Sequence, residues 1–263
     1  MRRTLSLYAG FFVQSLKARM AYKADFFSEL FASMLGTLAG LVFVLLLFHR
    51  VPDLAGWRRE EVFFIYGLSL IPYGLFNIIS VNLYEFAERY IIEGRFDRLL
   101  LRPMSTLAQL LMEKSRLTAV QEILLGAGIA TWASWSLGIS WGPLDLAWTI
   151  VLVLSGAAIY TSVFCILASL SFFFEDRIGI GAPVWNLIVF GRFPVPIFGP
   201  WIGAVLSWVI PFAFVSFYPA THFLGQAGFR TLCYATPLVA AGMVALALGV
   251  WRVGVRGYRS TGS

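Results

Sequence analysis

Charge is scarce in this chain. Only 13% of its 263 residues are Asp, Glu, Lys or Arg, where soluble domains carry roughly 25%. Histidine is confined to His49 and His222, and cysteine to Cys165 and Cys233. Both cysteines sit inside apolar runs without metal-ligand spacing. No disulfide framework follows, and they read as small core residues. No G-x-x-x-x-G-K-[ST] phosphate loop occurs, so the chain lacks that nucleotide-hydrolysing machinery. It has no H-E-x-x-H and no nucleophile elbow. A membrane protease or transferase would want carboxylates or histidines paired at bilayer depth, and none are found. The reading is therefore of a non-enzyme, with no cofactor or metal bound by this chain.

What is abundant is apolar surface. Hydrophobic residues make up 59% of the chain, with 24 Phe and 9 Trp, and the mean hydropathy is +0.79. Those values describe an all-α polytopic membrane protein. Six transmembrane helices are expected over 26–48, 62–83, 117–137, 147–174, 178–191 and 237–251. The first is 23 residues long, about 34 Å of helix, against a hydrocarbon core of ~30 Å. The fifth has only 14 residues and carries Pro183 and Asn186, which is short for a span. Residues 1–25 repeat an apolar residue every three or four positions among basic ones, the pattern of an N-terminal interfacial helix. No cleavable signal peptide is expected there. Ser33, Gly36, Thr37 and Gly40 form a small-residue stripe suited to close helix contact. Trp57 reads as an interface anchor, and Trp132, Trp135, Trp141 and Trp148 as an aromatic belt.

Residues 193–236 contain Pro194, Pro196, Pro200, Pro211 and Pro219. So many breaks predict a re-entrant hairpin between spans five and six, or else one further full span at 204–218. Lysine and arginine set the expected orientation. With six spans, fifteen of the twenty fall on the side of the termini and five on the other. The positive-inside rule then places both termini in the cytoplasm, and the net charge of +6 needs no nucleic acid.

One charged stretch interrupts the apolar pattern, in the loop 84–116. It runs Glu93-Gly94-Arg95-Phe96-Asp97-Arg98-Leu99-Leu100-Leu101-Arg102-Pro103-Met104-Ser105. Gly94 is suited to end the helix before it, and Pro103 disfavours helix at Arg102. Between them Phe96, Leu99 and Leu100 share one helical face. A helix this short is marginal alone in water, so a partner surface is expected, an ordinary solvated loop being the plainer reading. Among the sparse polar residues at depth, Asn77, Gln121 and Asn186 read chiefly as packing glue. Glu122 either pairs with Arg116, or touches substrate or the charged loop of a neighbouring subunit. Arg192 is expected to snorkel to the outer surface, and with His222 it falls in the hairpin region, where a gate or a contact to lipid-like headgroups is the functional reading.

The stretch Glu93–Pro103 resembles the G-x-[LF]-D-x-L-L-x-[RK]-P signature of ABC-2 type transporter permeases. Gly191-Arg192-Phe193-Pro194 and Ile210–Ala220 are similar to two further segments of one branch of that family, exporter permeases whose genes often come in pairs beside one ATPase gene. The resemblance spans nearly the whole chain and is silent on substrate. It implies a coupling helix, contacted by the ATPase through Glu93, Gly94, Phe96, Asp97, Leu99, Leu100, Arg102 and Pro103, with spans two and three carrying the push. It also implies two copies of an ABC ATPase, which would bind the ATP and magnesium, a second permease, alike or different, and a place in the bacterial cytoplasmic (inner) membrane. Glu122, Asn77, Asn186, Arg192 and His222 are the candidates for the gate or substrate path. A motorless secondary transporter or channel is the alternative. It would be expected to show inverted repeats and midplane charges.

Overall fold

A computed structural model describes Val13 and residues 23–174 and 181–258. Most of the expected interfacial helix, the Glu175-Asp176-Arg177 turn, the first residues of the fifth span and Arg259 lie outside those residues, and Lys23, Ala24 and Asp25 belong to the first long helix. The described residues are predominantly helical, with one isolated bridge between Leu54 and Trp57. The chain is an all-α polytopic membrane protein, as its composition requires.

Helix α1 (Lys23–Arg50) is joined by a tight loop to α2 (Arg59–Ser80). The α2 start is capped by Glu61, whose carboxylate accepts from the Arg58 backbone N–H at 2.8 Å. Helix α2 runs on through a 3-10 turn, Val81–Leu83, and a π-turn, Ala87–Ile92. Two short helices follow, α3 (Phe96–Leu100) and α4 (Thr106–Glu113), then α5 (Val120–Ser136) and α6 (Pro143–Phe174). After α7 (Gly181–Leu187) come α8 (Gly199–Ala204), α9 (Phe217–Phe223) and α10 (Arg230–Gly257).

Four of these segments are long and apolar enough to cross a membrane: α1, α2 with its continuation to Ile92, α6 and α10. A fifth arises if the bent pair Val195–Val209 and Phe212–Phe223 is one span. Helix α5 falls just short of that length, with 17 residues, about 26 Å, before the 3-10 turn Leu117–Ala119 extends it. The expected fifth span is the point of difference. Its described part is the seven-residue α7, about 10 Å long, followed by a 3-10 turn at Phe190–Arg192. That is too short to cross hydrocarbon unaided. Over 204–218, where a re-entrant hairpin or a further full span was expected, the chain bends by 77°, which is compatible with a re-entrant turn or a broken span.

Two helix pairs make the core, α2 against α5 and α6 against α10. Glycine sets the first crossing. A Cβ on Gly67 would lie 2.6 Å from the Ala130 nitrogen, and one on Gly126 would lie 2.7 Å from the Gly67 carbonyl oxygen. Only bare backbone allows this approach, and close approach is what drives helix association in lipid. Trp57 is not the expected interface anchor. It is buried, edge-on to Phe217 at 5.6 Å. Both cysteines are free and buried.

Candidate functional site

The loop between the second and third long helices builds a small knuckle. Gly94 adopts φ +66°, a backbone region glycine enters without penalty. That turn releases the π-turn and starts α3. Helix α3 has only five residues, and their side chains divide. Phe96 is fully buried and Leu99 nearly so. Leu100 is 45% exposed and Leu101 84% exposed. The face expected to present Phe96, Leu99 and Leu100 together is therefore split. Phe96 and Leu99 are anchors facing inward, and Leu100 and Leu101 lie outside with Arg98, Arg102 and Pro103. Burial of Phe96 and Leu99 within this chain contributes to stabilising so short a helix.

The socket of Phe96 is aromatic. Its ring meets Tyr258 at 4.9 Å, Phe172 at 5.0 Å, Phe86 at 5.7 Å and Trp251 at 6.3 Å, all edge-to-face. These rings come from the end of α6, the end of α10 and the segment following α2. The knuckle is thus seated on the ends of three spans. The expected push ran through spans two and three; the rings in contact with Phe96 belong to the segment after α2 and to the ends of α6 and α10. Local pattern does not reveal the seat, because Phe172, Trp251 and Tyr258 are distant in the chain and look like interface aromatics. Beside the ring, burial pushes the Tyr258 phenol up from its ordinary pKa, and the Asp97 carboxylate adds to the shift.

Polar side chains lock the knuckle's backbone. Gln109 is buried on α4 and donates to the carbonyl oxygens of Leu99 at 3.1 Å and Met104 at 3.0 Å, tying α4 to the end of α3 and the loop after it. Asn82 donates to the Tyr90 hydroxyl at 2.9 Å and the Leu110 carbonyl at 2.8 Å. Trp251 donates to Thr106 at 3.3 Å. Glu93 pairs with Arg95 at 2.7 Å, and Glu85 with Arg89 at 2.8 Å and Lys114 at 2.6 Å.

A second polar cluster lies deeper, where α1, α2 and α5 meet. Glu122 does not pair with Arg116, which bonds Glu29 at 2.9 Å instead. The Glu122 carboxylate accepts from Asn77 at 3.1 Å and Ser33 at 3.3 Å. Gln121 donates to Ser33 at 3.0 Å and Thr37 at 3.4 Å. Glu29, Ser33 and Thr37 are four residues apart, so the stripe on α1 faces this cluster. Arg192 does not snorkel outward. Its guanidinium lies over the ring of Tyr73 at 4.7 Å and that of Tyr66 at 5.8 Å. Those cation–π contacts hold the hairpin against α2.

The remaining candidates are separate. His222 approaches Asp145 at 3.8 Å and the Tyr234 hydroxyl at 3.4 Å, joining α9 to the starts of α6 and α10. Asn186 is exposed on α7 and belongs to none of these clusters. Among the described residues no group of three His, Cys, Asp or Glu side chains is placed to hold a metal ion.

A family model described as ABC-2 family transporter protein matches residues 34–262. The match takes in the knuckle, the hairpin and the deep polar cluster apart from Glu29 and Ser33. No curated protein and no solved structure matches the chain.

Proposed function

We propose, from the premise that the chain belongs to the ABC-2 transporter family, that this transmembrane permease is the membrane half of an ATP-driven exporter, pushed at its knuckle by a separate ATPase. The observation that carries this reading is the divided α3. A rigid internal anchor at Phe96 and Leu99 backs an outward apolar tip at Leu100 and Leu101, flanked by Arg98 and Arg102. A tip that is exposed, apolar and rigidly seated suits transmission of force, because displacement there passes directly to the ends of three spans.

In this reading Glu93, Gly94, Asp97, Arg102 and Pro103 surround the contact. ATP and magnesium belong to the partner. Two ATPase copies and a second permease, identical or paired, complete the pathway. A six-span arrangement, in which flanking residues complete the short fifth crossing, with an interfacial helix and a re-entrant hairpin supplies the frame in the bacterial cytoplasmic membrane. Both termini and the knuckle face the cytoplasm, on the strength of the arginine and lysine distribution.

The test is a double substitution, Leu100→Asp with Leu101→Asp. Both side chains are outside the core, so membrane insertion and thermal stability are expected to stay unchanged while ATPase co-purification is lost. A retained complex with normal turnover would refute the reading. Orientation has its own check, since Ser105 is exposed. Ser105→Cys is expected to react with an impermeant maleimide only in inverted vesicles, and labelling of intact cells would overturn the topology.

A further inference from the structure

Two opposite charges are sheltered inside this permease without meeting. Glu122 is 4% exposed, and among the described residues no basic nitrogen lies within ion-pair distance of it. Its partners are the neutral donors Asn77 and Ser33. Arg192 rests on aromatic faces, and its Nε–H is buried without a hydrogen-bond partner. Beside Glu122 is an equally unusual acceptor. Asn77 is fully buried, its amide nitrogen is committed to Glu122, and its Oδ1 has no partner. A buried donor and a buried acceptor left unmade in the same interior are costly groups. Here they are complementary in chemistry.

Their placement also points to motion. Tyr73 and Asn77 are four residues apart on α2, so they occupy the same face one turn apart. Arg192 sits over Tyr73. A displacement of the hairpin along α2 by about one helical turn, ~5–6 Å, would carry its guanidinium from the Tyr73 ring to Asn77 Oδ1 and the Glu122 carboxylate. Steps of one turn between packed elements are an established form of two-state switching.

We infer that Arg192 is a positioning residue that indexes the hairpin between two seats on α2: the Tyr73 ring in the state seen here, and the Asn77–Glu122 pair in the opposite access state. The same guanidinium is held in both seats, by ring faces in one and by oxygen acceptors in the other, so the hairpin has two defined stops rather than a continuum. Glu122 then reports the hairpin's position to α5, and through the Gly67–Gly126 crossing to the bundle. The inference rests on the permease reading for what the two seats are used for. Its test reads coupling within this chain alone.

That test is a mutant cycle on the purified full chain, followed by thermal unfolding. Asn77→Asp places a second carboxylate beside Glu122. If Arg192 reaches the second seat, Asn77→Asp is expected to be tolerated with Arg192 present and to lower Tm by about 5 °C or more in an Arg192→Gln background. A purely structural asparagine would give the same loss in both backgrounds, and that result overturns the inference. Charge exchange provides a second arm if those variants fold poorly. Arg192→Glu and Glu122→Arg are each expected to reduce the yield of monodisperse protein, and the double exchange to restore it. Losses that simply accumulate would also overturn the inference. Neither arm involves the ATPase, so loss of co-purification in the Leu100/Leu101 experiment is a distinct failure.

Discussion

Helices α1 and α2 are both long enough to span, and α1 is the more apolar of the two. Yet only 11% of the apolar window of α1 is buried in the protein, against 72% for α2. In water the order would be reversed. In lipid, a leucine gains little by leaving the acyl chains for another helix, so association follows small residues and polar pairs. Helix α2 carries Gly67, Gly74, Ser69, Asn77 and Ser80, and each finds a neighbour or a close crossing. Helix α1 buries only Thr37 and Val44, and it meets the bundle along its polar stripe.

The sharpest way to break this contrast is to add bulk at matched glycines. Gly126→Leu drives a side chain into the Gly67 carbonyl. Overpacking typically costs about 1–3 kcal/mol, and a backbone collision belongs at or above the top of that range. Loss of folded, monodisperse protein is expected in fluorescence-detected size exclusion. Gly36 on α1 has nothing within 4 Å, so Gly36→Leu is expected to leave the elution profile unchanged. A matching loss at Gly36 would mean that α1 has a packed partner beyond this chain.

The knuckle offers a smaller version of the same contrast between anchor and tip. Phe96→Ala empties the aromatic socket and is expected to destabilise by about 3–5 kcal/mol. Leu101→Ala at the tip should stay within about 0.5 kcal/mol. Thermal unfolding in detergent separates them, and equal shifts would erase the division of α3 into anchor and tip. The least effect is expected from Arg95→Ala. Its ion pair with Glu93 is half exposed, and such pairs contribute about 0–1 kcal/mol. A shift beyond that range would show that the pair organises the Gly94 turn.

Several features are legible in the residues themselves. The Gly94 turn and the short helix after it follow from local chemistry and are found, and of the small-residue stripe on α1, Ser33, Thr37 and Gly40 meet neighbours while Gly36 does not. The proline-broken region is expected to bend, and it does. The departures share one cause. Phe96, Leu99, Trp57 and Arg192 have amphipathic or apolar side chains near predicted interfaces, where outward and inward placements are equally compatible with local pattern. The fifth span differs in extent because apolar composition over 178–191 says nothing of where the helix breaks.

Composition and spacing alone determined that this chain lives in a membrane, that it lacks the motifs of a motor, and that its longest charged loop carries a helix between a glycine and a proline. Those conclusions are local or additive, so they survive without knowledge of neighbours. The partners of Glu122, the ring beneath Arg192 and the socket around Phe96 were decided only by tertiary structure. Each depends on residues tens of positions apart meeting in a medium where hydrophobicity does not choose between them.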